Sequence, residues 1–333
     1  MLPQSVRLFC LLPLCLIIAA CTETSDTQVL RVGHNLDTRH SVHQALQFMG
    51  ERLEQYSNGT MQLKIYASGQ LGNEREMLEL LQIGSLAMTK VSAATLESFV
   101  PEMQLFGLPY VFQSYQHRWA VLDSDIGSHV LSTMNKAHLQ GLAFMDAGSR
   151  SFYSCHGAIN SPDDLKGKKI RVMNSPSAVK LVNALGGAAT PLSWAELYGA
   201  LQQGVVDGAE NNPPSFYSSG HYELCKDFNL NEHTAIPDVI IASAHIIKQL
   251  SSDQQTWLAQ AATDAAKEQR RLWREAELQA LNNVKSHGVR VTHVDKAPFI
   301  DKVAHLHQAF DGSDIGDLLK QIKALAVAES EVQ

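Results

Sequence analysis

Apolar and polar residues alternate with two different periods along the chain, and these periods predict strands and helices. Residues Met61–Tyr66 alternate with the period of two that is typical of a half-buried strand. Apolar residues recur at intervals of three and four over residues 41–56, which predicts an amphipathic helix. Strands are also predicted at 29–33 and 86–91, and Asn73 caps a second helix. This strand–helix order predicts a parallel sheet covered by helices.

The alternation of strands and helices starts again at Gly148, which predicts a second α/β unit. The stretch Ile236–Ser243 is apolar and rich in β-branched residues, as in a strand buried on both faces. We expect this strand to return the chain to the first unit. The longest predicted helix starts at Ser252 and ends near His287, so it would be about 50 Å long. Because that exceeds the width of one domain, we expect the helix to brace both units.

These patterns predict an α/β protein with two lobes and a long helix that braces them. An N-terminal signal of residues 1–20 and a tether of residues 21–28 precede the lobes. The first lobe is expected to comprise residues 29–147 plus 237–276, and the second lobe residues 148–236 plus 277–333.

The N-terminus carries an apolar run, residues 8–20, after a single positive charge at Arg7. The run is too short to span a bilayer comfortably, and its position predicts a signal peptide. Two small residues, Ala19 and Ala20, precede Cys21, which predicts that Cys21 is lipidated. Ordinary cleavage after Ala20 is the alternative. We therefore expect a periplasmic protein that is held at a membrane by a lipid anchor.

Composition limits the classes of partner. The chain has 333 residues, of which 45% are hydrophobic and 18% charged, as in a soluble globular protein. Its net charge of −7 argues against nucleic acid, which favours a basic face. Any bound anion must therefore be held by local positive groups, since the overall field repels it.

One such positive group lies in the stretch Lys168–Asn174. Ile170 and Val172 alternate with Arg171 as in a short strand, and Ser175 then caps a helix. A guanidinium at the junction of a strand and a helix N-terminus can make a two-point contact with a carboxylate. An ordinary ion-paired arginine is the alternative interpretation.

Motifs of known catalytic sites are absent from the sequence, which contains no GxSxG, HExxH, Walker loop or GxGxxG. We expect no metal and no cofactor. His40 and His43 are three residues apart, but we interpret them as solvent-facing helix residues. Asp207 and Glu210 flank a predicted pocket, where a general acid or base is conceivable. The alternative is that these carboxylates orient Asn211 and nearby arginines.

Cysteine usage leaves two thiols in the predicted lobes, Cys155 and Cys225. An exported compartment permits a disulfide between them. Sequence gives no geometry, and we favour two lone buried thiols.

Four stretches in the middle of the chain carry a family resemblance: Gly148–Tyr153, Leu165–Val172, Trp194–Gln202 and Asp207–Pro213. In their order and spacing they resemble the DctP-type solute-binding proteins of tripartite ATP-independent periplasmic (TRAP) transporters. The resemblance runs from about Val29 to about Phe310. It implies a two-lobed fold like that of periplasmic binding proteins, and a TRAP membrane permease as partner.

The resemblance also implies which side chains face a ligand. In the second lobe these are Arg150, Arg171, Trp194 and Asn211. In the first lobe they are Asn35, Glu74, Ser92 and Thr95. We add Lys90, because it lies near the end of a predicted strand, where ligands bind in such sheets. For Trp194, a place in the core is an equal alternative.

Within the family, Met88–Ser92, Arg150–Tyr153 and Arg171–Pro176 look like the branch that binds hexuronates and related sugar acids. Ser92 and Thr95 stand where the sialic-acid branch has an acid and an arginine, which argues against sialate. The expected function is that of an exported receptor for a small organic acid, such as a hexuronate. The alternatives are an exported enzyme acting on a sugar acid and a receptor for a C4-dicarboxylate.

Overall fold

The structure, a computed structural model, describes residues 27–331. The predicted signal peptide, residues 1–20, and the predicted lipidation site Cys21 lie outside the described residues, as does most of the tether. Among residues 27–331, no helix combines the length and the apolar character needed to cross a membrane.

The strands are β1 (Gln28–Gly33), β2 (Met61–Tyr66), β3 (Met88–Ser92), β4 (Leu139–Met145), β5 (Arg150–Ser154), β6 (Lys169–Val172), β7 (Ala188–Pro191), β8 (Gly208–Asn211), β9 (Asp227–Thr234), β10 (Asp238–Ser243) and β11 (Arg290–His293). Most strands lie where they were predicted, but β7 and β9 were not predicted.

The helices lie between these strands and after them. They are α1 (Ser41–Tyr56), α2 (Glu74–Gln82), α3 (Ala93–Leu96), α4 (Gln104–Gly107), α5 (Tyr115–Leu122), α6 (Asp125–Thr133), α7 (Pro176–Leu185), α8 (Trp194–Gln202), α9 (Pro213–Ser218), α10 (His221–Leu224), α11 (Ala244–Ile247), α12 (Ser252–Ser286), α13 (Ala297–Val303), α14 (His305–Gln308) and α15 (Asp314–Glu331). Short 3-10 turns occur at Pro101–Met103, Met134–Ala137 and Pro162–Leu165.

The strands form two sheets. The first sheet has the order β2-β1-β3-β10-β4, and the second has the order β11-β9-β5-β8-β6-β7. In the first sheet β1 runs parallel to β2 and β3, as predicted, while β10 runs antiparallel to β3 and β4. The chain passes from the first sheet to the second between β4 and β5, and it returns between β9 and β10. The strand predicted at residues 236–243 thus lies in the first sheet.

Helix α12 packs against elements of both sheets. It contacts α1 and β4 on one side of the molecule and α9 and β11 on the other. Buried Gln269 fastens it to the end of β4, because its side chain accepts from the Asp146 N–H at 2.7 Å and donates to the Asp146 carbonyl at 2.8 Å. The helix starts at Ser252, as predicted, and is capped by Ser251 with Gln254. The predicted bracing helix is confirmed.

The C-terminal helix α15 packs differently from expectation. Ile315, Leu318 and Ile322 belong to the same apolar cluster as Val91 and Val239 of the first sheet. The sequence placed residues 277–333 in the second lobe, but α15 packs against α4, α5 and α6. Tertiary packing of its apolar face decided its position, and no local signal encodes that choice.

The two cysteines are joined. A disulfide links Cys155, just after β5, to Cys225, just before β9. The expectation of two lone thiols was wrong, because neighbouring strands of the second sheet bring residues 70 positions apart together.

A buried carboxylate connects the two halves of the molecule. Glu97, at the end of α3, accepts a hydrogen bond of 3.0 Å from the backbone N–H of Ser177 in the first turn of α7. Its side chain is 3% exposed. Gly107 of α4 lies so close that a Cβ at this position would overlap the Glu97 carboxylate. Close packing of α4 on α7 therefore depends on this glycine.

Glu97 makes the stability depend on pH. Burial raises the pKa of Glu97 to about 7, although hydrogen bonds from Ser177 and Ser175 oppose the shift. An unfolded glutamate titrates near 4.5, so between these two values the folded protein holds a proton that the unfolded chain has released. Stability therefore falls as the pH rises through this window, by up to about 1.4 kcal/mol per pH unit.

We expect Glu97→Gln to remove this dependence, because glutamine can still accept from Ser177 and carries no charge. Its unfolding midpoint should fall less than that of the wild type when the pH is raised from about 5 to about 8. Glu79→Gln, at a carboxylate that is 52% exposed, is the matched control. Equal pH dependence in wild type and Glu97→Gln would contradict the prediction.

Candidate functional site

A cavity of about 340 Å³ lies between the two sheets. All of the predicted ligand-facing residues line it: Asn35, Glu74, Lys90, Ser92 and Thr95 from the first sheet's side, and Arg150, Arg171, Trp194 and Asn211 from the second. The structure thus brings together side chains that the sequence analysis placed at separate strand and helix ends.

The edges of the sheets explain this convergence. Lys90 and Ser92 end β3, and Asn35 follows β1 in the same sheet. Parallel strands end at a common edge, so these side chains meet there. Two helices also begin at the cavity: Glu74 is the first residue of α2 and Trp194 the first of α8. Capping boxes from Asn73 to Glu76 and from Ser193 to Glu196 fix these two helix starts.

Arg150 is held by Glu210 in a buried ion pair. Its Nε donates to Glu210 Oε2, and its Nη2 donates to Glu210 Oε1 at 2.9 Å and to the Glu210 carbonyl at 2.8 Å. Burial alone would raise the pKa of Glu210, but Arg150 and His233 lower it to about 2. Glu210 is therefore ionised at neutral pH and neutralises Arg150. The charge of Arg150 is thus already balanced, although its side chain lines the cavity.

Asn211 accepts a hydrogen bond from the third nitrogen of the Arg150 guanidinium, Nη1. Arg150 Nη1 donates to Asn211 Oδ1 at 2.9 Å, and the backbone N–H of Asn212 donates to the same oxygen at 2.9 Å. The side-chain oxygen of Asn211, Oδ1, thus accepts two hydrogen bonds, and the side-chain nitrogen Nδ2 is left to donate into the cavity. Arg150 has five N–H groups, so one N–H on Nη1 is also left.

Arg171 is in a different state. It is 2% exposed, and its Nε donates to the Leu192 carbonyl at 2.9 Å. Its Nη1 finds no partner among the described residues. Burial lowers the pKa of Arg171 from its ordinary value, despite the opposing influence of Tyr153 and Glu210. Of the described cations that line the cavity, Arg171 alone has no carboxylate within ion-pair distance.

Lys90 lies between two carboxylates on the opposite wall. Its Nζ is 2.9 Å from Asp238 Oδ2 and 3.6 Å from Glu74 Oε1. Burial would lower the pKa of Lys90, but Asp238 and Glu74 raise it above its ordinary value. Thr95 Oγ1 donates to Glu74 Oε2 at 2.6 Å, and the Ser92 N–H donates to Oε1 at 3.3 Å. Glu74 is thus more than a charge at a helix start, because it is fixed at the cavity wall.

Trp194 is half-buried and packs against apolar clusters of both halves of the molecule. Its ring centre lies 5.3 Å from that of buried His221, which in turn is 2.8 Å from the hydroxyl of Tyr153. Burial, with a contribution from Arg171, lowers the pKa of His221 to about 3. The neutral imidazole of His221 therefore packs near the indole of Trp194 and is itself hydrogen-bonded to the Tyr153 hydroxyl. Trp194 combines the two roles that the sequence left open, core packing and cavity wall.

Asp207 and His40 lie at positions that differ from the expected ones. Asp207 accepts from the Lys169 N–H at 2.7 Å and does not line the cavity. His40 is 5% exposed and lines the cavity, so the interpretation as a solvent-facing residue was wrong. His40 is instead the N-cap of α1, where its ring accepts from the Val42 N–H. The described residues contain no group of three His, Cys, Asp or Glu side chains placed to hold a metal ion.

The sequence analysis missed Asp238, His40 and Trp273, which also line the cavity. Asp238 starts the strand that was predicted as buried, so a charged residue at its first position could have been a signal. His40 precedes α1 where a capping residue is expected. Trp273 carries no local signal, since it continues the apolar stripe of α12.

Two α/β lobes, a bracing helix and a cavity between the lobes with one unneutralised arginine define the class of periplasmic solute-binding proteins. Residues 32–313 match the family DctP, described as bacterial extracellular solute-binding protein, family 7, and the chain belongs to this family.

Three similar proteins bear on the ligand. A TRAP periplasmic solute binding protein from Bradyrhizobium sp., in complex with D-galacturonate, has 37% identity and a TM-score of 0.87, over 89% of this chain and 100% of that chain. One from Pseudomonas putida F1, with bound D-glucuronate, has 35% identity and a TM-score of 0.86, over 89% and 97%. The C4-dicarboxylate-binding periplasmic protein DctP of Rhodobacter capsulatus is 30% identical over 73% of each chain.

The Arg150–Glu210 pair gives a prediction on stability. Glu210→Gln leaves the buried guanidinium of Arg150 without its carboxylate, which should destabilise the protein by roughly 3 kcal/mol. The midpoint of thermal unfolding should fall by several degrees. Glu275→Gln, at a carboxylate that is 58% exposed, is the control. An unfolding midpoint equal to that of the control would show that the pair does not stabilise the fold.

Proposed function

We propose that this protein binds a monocarboxylic sugar acid, such as a hexuronate, between its two lobes and delivers it to a TRAP membrane permease. The single observation that carries the proposal is the state of Arg171. A buried guanidinium with no carboxylate partner among the described residues and a free Nη1 is incomplete without an anion.

Arg171 is therefore the proposed anchor of the ligand carboxylate. A planar guanidinium offers two parallel N–H groups to a carboxylate, and this geometry is strongest where water is excluded. Arg150 contributes as a donor and not as a net charge, because Glu210 neutralises it. The amide of Asn211 adds a third donor on the same lobe. Together these groups suit one carboxylate on the wall formed by the second sheet.

The opposite wall is suited to hydroxyl groups. Lys90 faces both Asp238 and Glu74, so this group of three carries a net charge of −1 when all are ionised. A second carboxylate there would be repelled, whereas sugar hydroxyls can donate to Glu74 and accept from Lys90. Ser92 and Thr95 hold Glu74 in place for this role. Asn35 has a buried Oδ1 with no partner among the described residues, and it supplies a further polar contact.

We further propose that the ligand is captured by closure of the lobes. Trp194 and Met173, from the second sheet's side, pack against apolar clusters of the first. These contacts support a closed arrangement in which each lobe contributes part of the site, so that ligand favours closure. We propose a first lobe of residues 29–147 plus 237–276 and a second lobe of residues 148–236 plus 277–313, in place of the expected 277–333, and we assign α15 to the first lobe because of its packing.

The family match supports transport and not catalysis as the role of the chain. An enzyme acting on a sugar acid would need a group that moves a proton at neutral pH. Glu210, the candidate acid or base, has a pKa of about 2, is bound to Arg150 and does not line the cavity. Recovery of the sugar acid unchanged after prolonged incubation with the protein would separate a receptor from an enzyme.

Location and partner complete the proposal. We propose that the protein acts in the periplasm and is tethered to a membrane through lipidated Cys21, because small residues precede this cysteine at the end of an apolar run. The proposed partner is the membrane permease of a TRAP transporter. Mass spectrometry of the mature N-terminus would test the lipid directly.

Arg171→Lys tests the anchor. Lysine keeps the charge but loses the planar fork, so we expect the affinity for glucuronate to fall by about 2 kcal/mol or more, roughly 30-fold in Kd. Isothermal titration calorimetry measures this loss. Arg290→Lys, at an ion pair with Asp227 outside the cavity, is the matched control. Near-normal affinity in Arg171→Lys would refute the assignment of the anchor.

A ligand panel tests the class of acid. Glucuronate, galacturonate and gluconate should bind more tightly than succinate and malate, because a hydroxyl-free ligand leaves buried donors unpaired. Glu74→Gln should weaken the binding of sugar acids and spare or improve that of dicarboxylates. The similarity to a C4-dicarboxylate-binding protein makes succinate the serious competitor. If succinate binds more tightly than every sugar acid, the dicarboxylate alternative holds.

A further inference from the structure

Four of the fourteen buried side-chain atoms that lack a hydrogen-bond partner among the described residues belong to residues of the cavity wall. Among the described residues, the buried side-chain atoms without a hydrogen-bond partner include Asn35 Oδ1, Arg171 Nη1, His40 Nε2 and Trp273 Nε1. All four residues line the cavity. Asn35 and Arg171 already have a place in the proposed site. His40 and Trp273 do not, and a buried polar group left without a partner calls for an explanation.

The hydrogen bond at the start of α1 determines the protonation of His40. The backbone N–H of Val42 donates to His40 Nδ1 at 3.2 Å, so Nδ1 carries a lone pair and no proton. Burial lowers the pKa of His40 to about 3, with further contributions from Lys90 and His34. The ring is therefore neutral at physiological pH, and its one proton is on Nε2. His40 Nε2 is a hydrogen-bond donor.

Trp273 supplies a second neutral donor from a different element. It lies on α12, one turn after Gln269, and its indole is 1% exposed. An indole Nε1–H can only donate. The ring centres of His40 and Trp273 are 5.7 Å apart, so the two donors belong to one region of the wall. A Cβ at position 148 would lie 3.0 Å from Trp273 Nε1 and 3.1 Å from Glu277 Oε1, so Gly148 allows the backbone to approach the indole nitrogen closely.

Two neutral donors without an acceptor among the described residues call for an oxygen that offers lone pairs. A charged group is not required, since the nearby charges of Lys90, Glu74 and Asp238 already face one another. A pyranose offers both a ring oxygen and hydroxyl oxygens. A hydroxyl could accept from His40 or Trp273 while it donates to Glu74, which can only accept when ionised.

We propose that His40 and Trp273 form a donor subsite for a ring or hydroxyl oxygen of the sugar acid, and that they determine specificity for oxygen-rich ligands. The inference rests on the proposed function and adds to it. The carboxylate would bind Arg171 on the second sheet's wall, and the sugar ring would be recognised at the junction of α1 and α12. A ligand without such an oxygen would leave both donors unsatisfied.

Variants that delete one N–H each test the subsite. Trp273→Phe removes the indole donor and keeps an aromatic ring. His40→Asn removes the Nε2 donor and keeps the helix cap, because asparagine is a favoured N-cap residue. Trp119→Phe is the matched control: its Nε1 is also buried and unpartnered among the described residues, but Trp119 does not line the cavity.

We expect Trp273→Phe and His40→Asn each to weaken glucuronate and galacturonate binding roughly tenfold in calorimetry. Trp119→Phe should change Kd by less than about twofold. Unfolding midpoints of the free proteins establish that each variant is folded, and a variant that fails to fold is replaced by the other.

Three outcomes would overturn the subsite. Wild-type affinity in both cavity variants, together with weakened binding in Arg171→Lys, would remove the subsite and leave the proposed function intact. An equal loss in Trp119→Phe and Trp273→Phe would show a structural effect only. If no sugar acid binds the wild-type protein, the proposed function itself fails, and the subsite fails with it.

Discussion

The balance of buried charge between the lobes is the constraint on which the rest of the site depends. Three cations, Arg150, Arg171 and Lys90, face three carboxylates, and all are largely removed from water. A buried charge without a partner is costly. Glu210 forms an ion pair with Arg150, and Asp238 and Glu74 both face Lys90. The surplus negative charge therefore lies on one wall of the cavity, and the positive charge of Arg171 lies on the other. This separation of charge suits a ligand with a carboxylate at one end and hydroxyl groups on the rest of the molecule.

The fold makes that polarity possible because the two walls belong to different sheets. The chain crosses between the sheets at β4–β5, β9–β10 and β10–β11, and α12, which lies in the last of these connections, packs on both halves. Each wall can therefore be assembled separately, with its own core, and the cavity exists only where the walls meet. Glu97 and Trp194 connect the halves directly, one by a hydrogen bond and the other by packing. A site shared in this way couples ligand contacts to the arrangement of the lobes.

Much of the candidate site could be predicted, because it follows rules of short range. Arg171, Lys90 and Asn35 lie at or near strand ends, and the edge of a parallel sheet brings such residues together. Family motifs supplied Arg150, Trp194 and Asn211. What escaped prediction was the state of these groups. Arg150 and Arg171 look alike in the sequence, yet one is neutralised by Glu210 and the other has no carboxylate partner among the described residues.

The sequence by itself determined most helices and strands, though not β7 and β9, and the order of the two α/β units, since periodicity and capping depend on residues only a few positions apart. The tertiary structure alone decided the Cys155–Cys225 disulfide, the position of α15 and the partners of the buried charges. It also placed His40 and Trp273 side by side, although 233 positions separate 40 from 273 in the chain. Pairings of this kind depend on distance in space, which local patterns of residues do not encode.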